Sequence, residues 1–454
     1  MAWGVILVVT ALIALGVAAD KADSSNVVDA AEAKQEQGWG TLELQCRLAL
    51  GQHALMPSQS QNLVQSLVDV ARVQAGGMVR VSTVVAAIDG PKAAADLLRS
   101  WVVERRSLTG PLPLAQVDML DLFERLYDGT ASEAQRQTIT EQYGWFGTVA
   151  LAATQDAPEK RAAQLKALMS VASQRVLLAF IGILVWAFAG VIGITLLVIY
   201  IVRYISGRVP CALEARSFHD GLYAETFAIW LLLFQGLLLA GAALGKLMPE
   251  SMALVPTLIM FPVSLVVLLW PRIRGVPLAQ IRCDIGWTTG KGILLECWAG
   301  LMGYLMAMPI LVVGLMLTTI LMWLAGPGDA AHGSAHPVIG LLQSDNWWMR
   351  GQVLLLAVLL APLVEETLFR GVLYRQLRLA PKWRAGVSML LSAVVTGVIF
   401  ALIHPQGVLA VPALASLAVA FALAREWRGS LIAPMIMHGV SNGLTLIFVL
   451  MLLG

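Results

Sequence analysis

The sequence predicts an all-α polytopic membrane protein, and three observations support this fold class. Hydrophobic residues make up 58% of the 454 residues and charged residues only 13%, about half the charged fraction of an average soluble domain. Eight apolar runs have the character of membrane helices. Lys and Arg are concentrated in alternate connections between these runs, as in membrane proteins of defined orientation. The eight runs are 176–202, 226–244, 252–270, 298–324, 351–364, 387–403, 408–423 and 431–453.

The distribution of positive charge predicts the orientation of the spans. One set of connections is rich in Lys and Arg, whereas the alternate set holds only Lys246 and Arg350. Because Lys and Arg accumulate on the cytoplasmic side, we expect residues 20–175 to be exported and the basic connections to be cytoplasmic. We expect an integral protein of a bacterial inner membrane. The basic residues are Arg203, Arg208, Arg216, Arg272, Arg274, Arg282, Lys291, Arg370, Arg375, Arg378, Lys382, Arg384, Arg425 and Arg428.

The chain divides into five predicted regions. Residues 1–19 are a signal peptide or a signal anchor, and both interpretations stay open because Val17-Ala18-Ala19 resembles a cleavage site while Lys and Arg are absent before the apolar run. Residues 20–175 are an exported helical accessory domain, 176–324 the N-terminal transmembrane helices, 325–350 an exterior loop and 351–454 a C-terminal membrane domain. The net charge of +2 gives no indication of a nucleic-acid partner.

The exported domain shows no paired catalytic residues, so we interpret it as an accessory domain that binds an unknown protein. Thr130 and Glu133 have the spacing of a capping box that opens a helix. His332 and His336 in the exterior loop are weak evidence for a metal site, since no acidic residue of a helix accompanies them. The following Trp347-Trp348 pair is typical of an interfacial belt.

Two adjacent glutamates, Glu365 and Glu366, directly continue the fifth apolar run. Ionisable residues within a membrane are rare, face the protein interior and usually mark function. Glu366 and Arg370 are four residues apart with the acid first, the favourable order for a helical ion pair. Glu365 is rotated from Glu366 by about 100° on an α-helix. We therefore predict that Glu366 is a support paired with Arg370 and that Glu365 is free to act.

Two histidines and an amide follow in the later spans. His404 ends the sixth run, and the last run contains His438 and Asn442 four residues apart, on one helix face. A four-residue repeat on the sixth run predicts a stripe that lines a polar cavity. The members of this stripe are Ser388, Ser392, Thr396 and Phe400.

This set of groups is sufficient for peptide hydrolysis. Glu365 and His404 can deprotonate a water molecule, while His438 and Asn442 can donate hydrogen bonds to the oxyanion of the tetrahedral intermediate. Alternatively, Glu365, His404 and His438 hold a zinc ion with an open water position. The His-Glu-x-x-His signature of zinc peptidases is absent, so the metal-free mechanism is favoured, with no certain cofactor. The rival hypotheses are a silent scaffold and a proton-coupled transporter, although no internal symmetry supports the transporter.

Straight helices normal to the membrane would place His404 at a different depth from Glu365 and His438. At 1.5 Å per residue, Glu365 and His438 lie about 9 to 10 Å from the cytoplasmic face, but His404 lies about 26 Å from it. The helix before His404 is therefore expected to begin in the cytoplasm or to tilt strongly.

Three motifs resemble those of the CAAX protease and bacteriocin-processing family, which includes the type II CAAX prenyl endopeptidases. They are Glu365-Glu366-x-x-x-Arg370-Gly371, Phe400-x-x-x-His404 and His438-x-x-x-Asn442. The resemblance covers 351–453 and implies an intramembrane endopeptidase acting on a membrane-associated or prenylated protein near the cytoplasmic leaflet. It implies that Glu365 and His404 activate water, that His438 and Asn442 form the oxyanion hole, and that Glu366, Arg370 and Phe400 support the site. The exported domain has no counterpart in these motifs.

Overall fold

The structure, a computed structural model, describes residues 1–22, 28–72, 75–209, 213, 219, 221–325, 341–342, 346–380 and 384–453. The chain divides into two compact units, one of Met1–Glu32 and Leu184–Leu450, the other of Ala33–Ile183 and Met451–Gly454. Within the described residues the secondary structure is helical, without strands. His332 and His336 of the predicted exterior loop lie outside the described residues. The five predicted region boundaries stay predictions.

The main helices follow one another along the chain. They are α1 Ala2–Ala22, α2 Val28–Leu55, α3 Ser60–Ala71, α4 Ala75–Ile88, α5 Pro91–Thr109, α6 Leu114–Tyr127, α7 Glu133–Ala153, α8 Pro158–Ile205, α9 Leu222–Gly245, α10 Val255–Ile273, α11 Leu278–Ile285, α12 Ile293–Ala325, α13 Trp347–Leu379, α14 Ala385–Leu402, α15 Val411–Arg428 and α16 Ile432–Leu453.

Eight helices of the described residues are long and apolar enough to cross a membrane, which confirms the predicted all-α polytopic membrane fold. They correspond in order to the eight predicted runs. The fifth run, 351–364, proves to be only the middle of α13, because the chain stays helical through the two glutamates and as far as Leu379. This continuation carries Arg370, Arg375 and Arg378 into the protein.

The unit formed by residues 33–183 is a helical bundle with its own apolar core. Leu67, Met78, Leu98 and Phe123 are among the buried side chains of this core. Helix α7 begins with a capping box, as expected, but its members are Ser132 and Gln135, whose side chains each bond the other's backbone N–H. The prediction of Thr130 and Glu133 was therefore wrong by two residues, because Ser132 is the better placed N-cap for a helix that begins at Glu133. The predicted binding of a partner protein stays a prediction.

Helix α1 packs within the unit of Met1–Glu32 and Leu184–Leu450, which contains the later membrane helices and is called the membrane unit below. The side chain of Ile6 is fully buried in a cluster with Leu222, Phe227 and other apolar residues of that unit. A retained signal anchor would keep these contacts, whereas a signal peptide would lose them on cleavage. Both interpretations of residues 1–19 remain predictions.

The polar stripe of α14 lies in a helix interface and does not line a polar cavity as predicted. Ser388, Ser392 and Thr396 are all buried, and the hydroxyls of Ser388 and Thr396 donate to the carbonyls of Arg378 and Ser392. Gly397 on the same helix lies against the carbonyl of Ala415 in α15. Small residues let membrane helices approach closely, which explains the stripe without a cavity.

Charged residues assigned to loops and helix ends prove to be buried in ion pairs. An Arg375 guanidinium nitrogen lies 2.7 Å from Oδ1 of Asp284, and Arg378 lies 3.1 Å from Oε1 of Glu426. The prediction that these arginines are only positive-inside loop residues was therefore wrong. Their helix continues into the protein, where a guanidinium requires a carboxylate partner.

Charged residues near the start of α12 and the end of α15 are also buried and joined by hydrogen bonds. Glu296, in the first turn of α12, is fully buried and receives two hydrogen bonds from Arg428, of 2.9 and 2.7 Å. Arg425 is also fully buried and donates to the backbone carbonyl of Asp284. These arginines therefore join helices and do not simply flank a span. Glu225 does lie at a half-exposed helix end, where it pairs with Arg274.

Two cysteines test both the packing and the predicted orientation. Burial raises the pKa of the Cys46 thiol, and a buried protonated thiol reacts slowly, whereas Cys283 is exposed. In a Cys211→Ser background, a maleimide should label Cys283 and leave Cys46 unlabelled until denaturation, as measured by peptide mass mapping. In intact cells, a membrane-impermeant maleimide should reach Cys283 only after permeabilisation. Labelling of Cys283 from outside would reverse the orientation.

Candidate active site

The two glutamates lie between two π-helical segments of α13. These segments are Leu356–Leu360 and Thr367–Leu373. π-helical turns are rare in proteins overall, and those that occur are often found at functional sites. The second segment begins at Thr367, whose hydroxyl donates to the carbonyl of Leu363 and accepts a 3.0 Å hydrogen bond from Nε1 of Trp287. The backbone that carries the glutamates is thus held by a neighbouring element.

Glu366 is the centre of a buried hydrogen-bonded group. Its Oε1 atom accepts from Arg370 at 2.9 Å and lies 2.8 Å from Nδ1 of His438. A second nitrogen of Arg370 donates to the carbonyl of Ala418 at 3.1 Å. Glu366 and Arg370 are almost inaccessible to solvent. The predicted helical ion pair is present, and it also joins α13 to α15 and α16.

Aromatic rings enclose this charged group. The guanidinium carbon of Arg370 lies 4.9 Å from the ring centroid of Phe400 and 5.2 Å from that of Phe421. Phe421 also stacks on the imidazole of His438, with centroids 5.2 Å apart and an interplanar angle of 23°. Such contacts stabilise a guanidinium in an apolar environment. Sequence reasoning selected Phe400 but missed Phe421, because a phenylalanine within an apolar run carries no signal of its own.

Glu365 faces both imidazoles. Its Oε2 atom lies 3.9 Å from Nε2 of His404 and 3.8 Å from Nε2 of His438. These separations exceed a direct hydrogen bond, but a single water molecule can hydrogen bond both members of either pair. Glu366 faces elsewhere, as the rotation between adjacent helical residues requires.

The hydrogen bond of His404 fixes its tautomer. Its Nδ1 atom lies 2.6 Å from the carbonyl oxygen of Phe400, which can only accept, so Nδ1 carries the proton. In the neutral imidazole, Nε2 is then an acceptor and faces Glu365. Helix α14 ends at Leu402, and the turn that follows brings the ring to this position. The predicted difficulty with depth does not keep His404 from the glutamate.

Asn442 lies one helical turn beyond His438, as predicted. Its amide nitrogen donates a 2.8 Å hydrogen bond to the carbonyl oxygen of Ala357 in the first π-helical segment. The amide nitrogen carries two hydrogens, so one remains for another acceptor.

The donors expected for zinc have suitable chemistry but unsuitable spacing. Nδ1 of each imidazole is hydrogen bonded to Phe400 or Glu366, which resembles the outer shell of zinc-binding histidines. However, the Nε2 to Oε2 separations of 3.9 and 3.8 Å exceed the roughly 3.3 Å between donors of a tetrahedral zinc ion. Among the described residues, no group of three His, Cys, Asp or Glu side chains could hold a metal ion.

The fold and these residues define a class, an all-α polytopic membrane protein with a buried acid and histidine site. Residues 347–444 match the family model of the Rce1-like type II CAAX prenyl endopeptidases. The membrane-embedded CAAX protease MroQ of Staphylococcus aureus (strain USA300) is 34% identical over 93 residues, 20% of this chain and 37% of MroQ. The chain thus spans little more than a third of the curated relative it matches. No solved structure matches the chain.

These matches confirm the resemblance predicted from the three motifs. Residues 347–444 are thus similar to the Rce1-like type II CAAX prenyl endopeptidases. The matched segment contains Glu365, Glu366, Arg370, His404, His438 and Asn442. This similarity suggests a membrane-embedded hydrolase, and it does not extend to residues 20–175.

The ion pair of Glu366 and Arg370 should contribute more to stability than an exposed pair. Arg370→Leu leaves a buried carboxylate without its partner, so we expect a loss of about 3 to 5 kcal/mol. Arg274→Leu is the matched control, because it removes the half-exposed pair with Glu225 and should cost at most about 1 kcal/mol. Equilibrium unfolding in mixed detergent micelles measures both. Equal losses would contradict the supporting role of Arg370.

Proposed function

We propose that this protein is an intramembrane endopeptidase that hydrolyses a peptide bond of a membrane-associated or prenylated protein. The observation that carries the proposal is the convergence of Glu365 Oε2 with Nε2 of His404 and of His438, at 3.9 and 3.8 Å. The name of the partly matched relative MroQ, a CAAX protease, supports the same class of substrate.

In the proposed mechanism, Glu365 and His404 act together on one water molecule. The Glu365 carboxylate accepts hydrogen bonds from this water. Nε2 of His404 also accepts, because the one proton of the neutral ring is on Nδ1, which bonds the carbonyl of Phe400. As the water oxygen bonds to the carbonyl carbon, a water proton passes to this pair. The same proton is then available to the leaving amine nitrogen as the C–N bond breaks. The products are a carboxylic acid and an amine, which become a carboxylate and an ammonium when the acid's proton passes to the amine.

His438 is the proposed donor to the oxyanion. Its Nδ1 faces Glu366, which is already paired with Arg370 and therefore accepts. Nε2 donates to the oxyanion when the ring carries a proton on both nitrogens. The remaining amide hydrogen of Asn442 is the second proposed donor. Loss of one such donor typically costs about 10²- to 10³-fold in kcat.

Arg370, Phe400 and Phe421 do not enter the chemical steps. They hold Glu366 and the ring of His438, which leaves Glu365 as the one carboxylate of the pair that faces the water. A shift of a catalytic group by about 1 Å can lower the reaction rate by about 10²-fold. The residues that hold Glu366 and His438 in place are therefore part of the proposed mechanism.

The test is proteolysis by the purified full-length protein in lipid nanodiscs. The probes are a farnesylated peptide with a CAAX terminus and its unprenylated twin. Glu365→Gln and His404→Ala should each lower kcat by at least about 10³-fold. His53→Ala is the control, because His53 bonds Ser60 in the other unit and should leave kcat unchanged.

The same assay separates the alternatives. Undiminished cleavage by both variants would remove the assignment to this site. Tight binding of the farnesylated peptide without cleavage by wild type would indicate a scaffold. Loss of activity with a chelator and recovery with Zn²⁺ would restore the zinc mechanism.

A further inference from the structure

One backbone carbonyl of the first π-helical segment lacks an N–H donor from its own helix, because a proline occupies the donor position. The N–H of Ala361 donates five residues back, to the carbonyl of Leu356. The next N–H in this register would belong to residue 362 and would reach Ala357. Residue 362 is proline, which has no N–H. An unpaired carbonyl within a membrane span is costly, because water is not there to replace the missing donor.

Asn442 of the last helix supplies the missing donor. Its amide nitrogen lies 2.8 Å from the carbonyl oxygen of Ala357. A glycine, Gly439, lies almost one turn earlier on α16, and a Cβ there would lie 2.7 Å from the carbonyl oxygen of Val358. The close approach of α16 to this turn therefore depends on Gly439, and it brings the amide within reach of Ala357.

The last helix holds α13 on both sides of Glu365. One contact joins Asn442 to Ala357, before the glutamate, and the other joins His438 to Glu366, after it. Ala361–Glu366, the α-helical piece that carries Glu365, lies between the two π-helical segments. Two contacts from one rigid helix fix the rotation of this piece about its axis. The direction of the Glu365 carboxylate follows from that rotation.

We propose that Pro362, the Ala357 carbonyl and Asn442 form a register lock that sets the orientation of Glu365. Asn442 is thereby a positioning residue through its bond to Ala357, in addition to its proposed contact with the oxyanion. The inference rests on the proposed function only for the role of Glu365. The lock itself is a property of the helices and can be measured without a substrate.

A double-mutant cycle separates the lock from the oxyanion contact. Asn442→Ala should lower kcat by at least about 10³-fold with little change in KM, because it removes both the lock and a proposed oxyanion donor. Pro362→Ala restores an N–H that can reach Ala357, so the kcat loss on replacing Asn442 should be at least about tenfold smaller in this background. If Asn442 acts only on the oxyanion, the loss will be the same in both backgrounds, which would overturn the lock.

Gln352→Ala is the matched control for the cycle. Gln352 also carries a side-chain amide, and its nitrogen donates to the backbone carbonyls of Ser251 and Trp348. Its replacement should have the same effect on kcat in the wild-type background and in the Pro362→Ala background. Rescue of this variant by Pro362→Ala as well would show a general effect on helix stability and would contradict a specific lock.

Hydrogen exchange of the peptide 356–366 gives a readout that does not depend on activity. Asn442→Ala should raise its exchange rate by at least about tenfold in nanodiscs, and Pro362→Ala should reverse this increase. Glu365→Gln should leave the rate unchanged. If wild type cleaves no peptide but the exchange pattern holds, the proposed function fails and the lock stands. If wild type cleaves but Asn442→Ala leaves exchange unchanged, the lock fails alone.

Discussion

The Glu366 carboxylate is the interaction on which the site depends. One oxygen accepts from Arg370 and faces Nδ1 of His438, and Arg370 in turn donates to the carbonyl of Ala418. A single buried anion thus joins three helices of the membrane unit. Its desolvation is costly unless both partners are present, so the arrangement of α13, α15 and α16 is coupled to one charged group.

The two adjacent glutamates have different surroundings because of this arrangement. Glu366 is enclosed by Arg370, His438 and the rings of Phe400 and Phe421, which contact the guanidinium or the imidazole. Glu365 faces two imidazole nitrogens that are too far for direct hydrogen bonds. A carboxylate held near the acceptor nitrogen of His404, with no direct hydrogen bond to either imidazole, suits proton transfer with water better than structural support. The proposed mechanism follows from this difference.

Patterns within a short stretch of sequence predicted much of the structure. The eight spans follow from apolar length, and the pair of Glu366 and Arg370 follows from their four-residue spacing. The resemblance carried by three motifs predicted the family. These signals are local, because helical periodicity relates residues only three or four positions apart.

Contacts between distant segments could not be predicted in this way. Arg375 and Asp284 are 91 positions apart, and nothing near either residue identifies the other. The bond from Asn442 to Ala357 spans 85 positions and depends on a π-helical turn, which helical periodicity cannot anticipate. The capping box of α7 was misplaced by two residues because several nearby residues can cap a helix.

The most direct test of the account compares the unfolding free energies of Glu365→Gln and Glu366→Gln with wild type in the same detergent micelles. Glu366→Gln should lower stability by about 3 kcal/mol or more, because it leaves the buried guanidinium of Arg370 without its anion. Glu365→Gln should stay within about 1 kcal/mol of wild type or exceed it, as expected where a group serves function at the expense of stability. Equal losses for the two variants, or a larger loss for Glu365→Gln, would contradict the separate roles of the two glutamates.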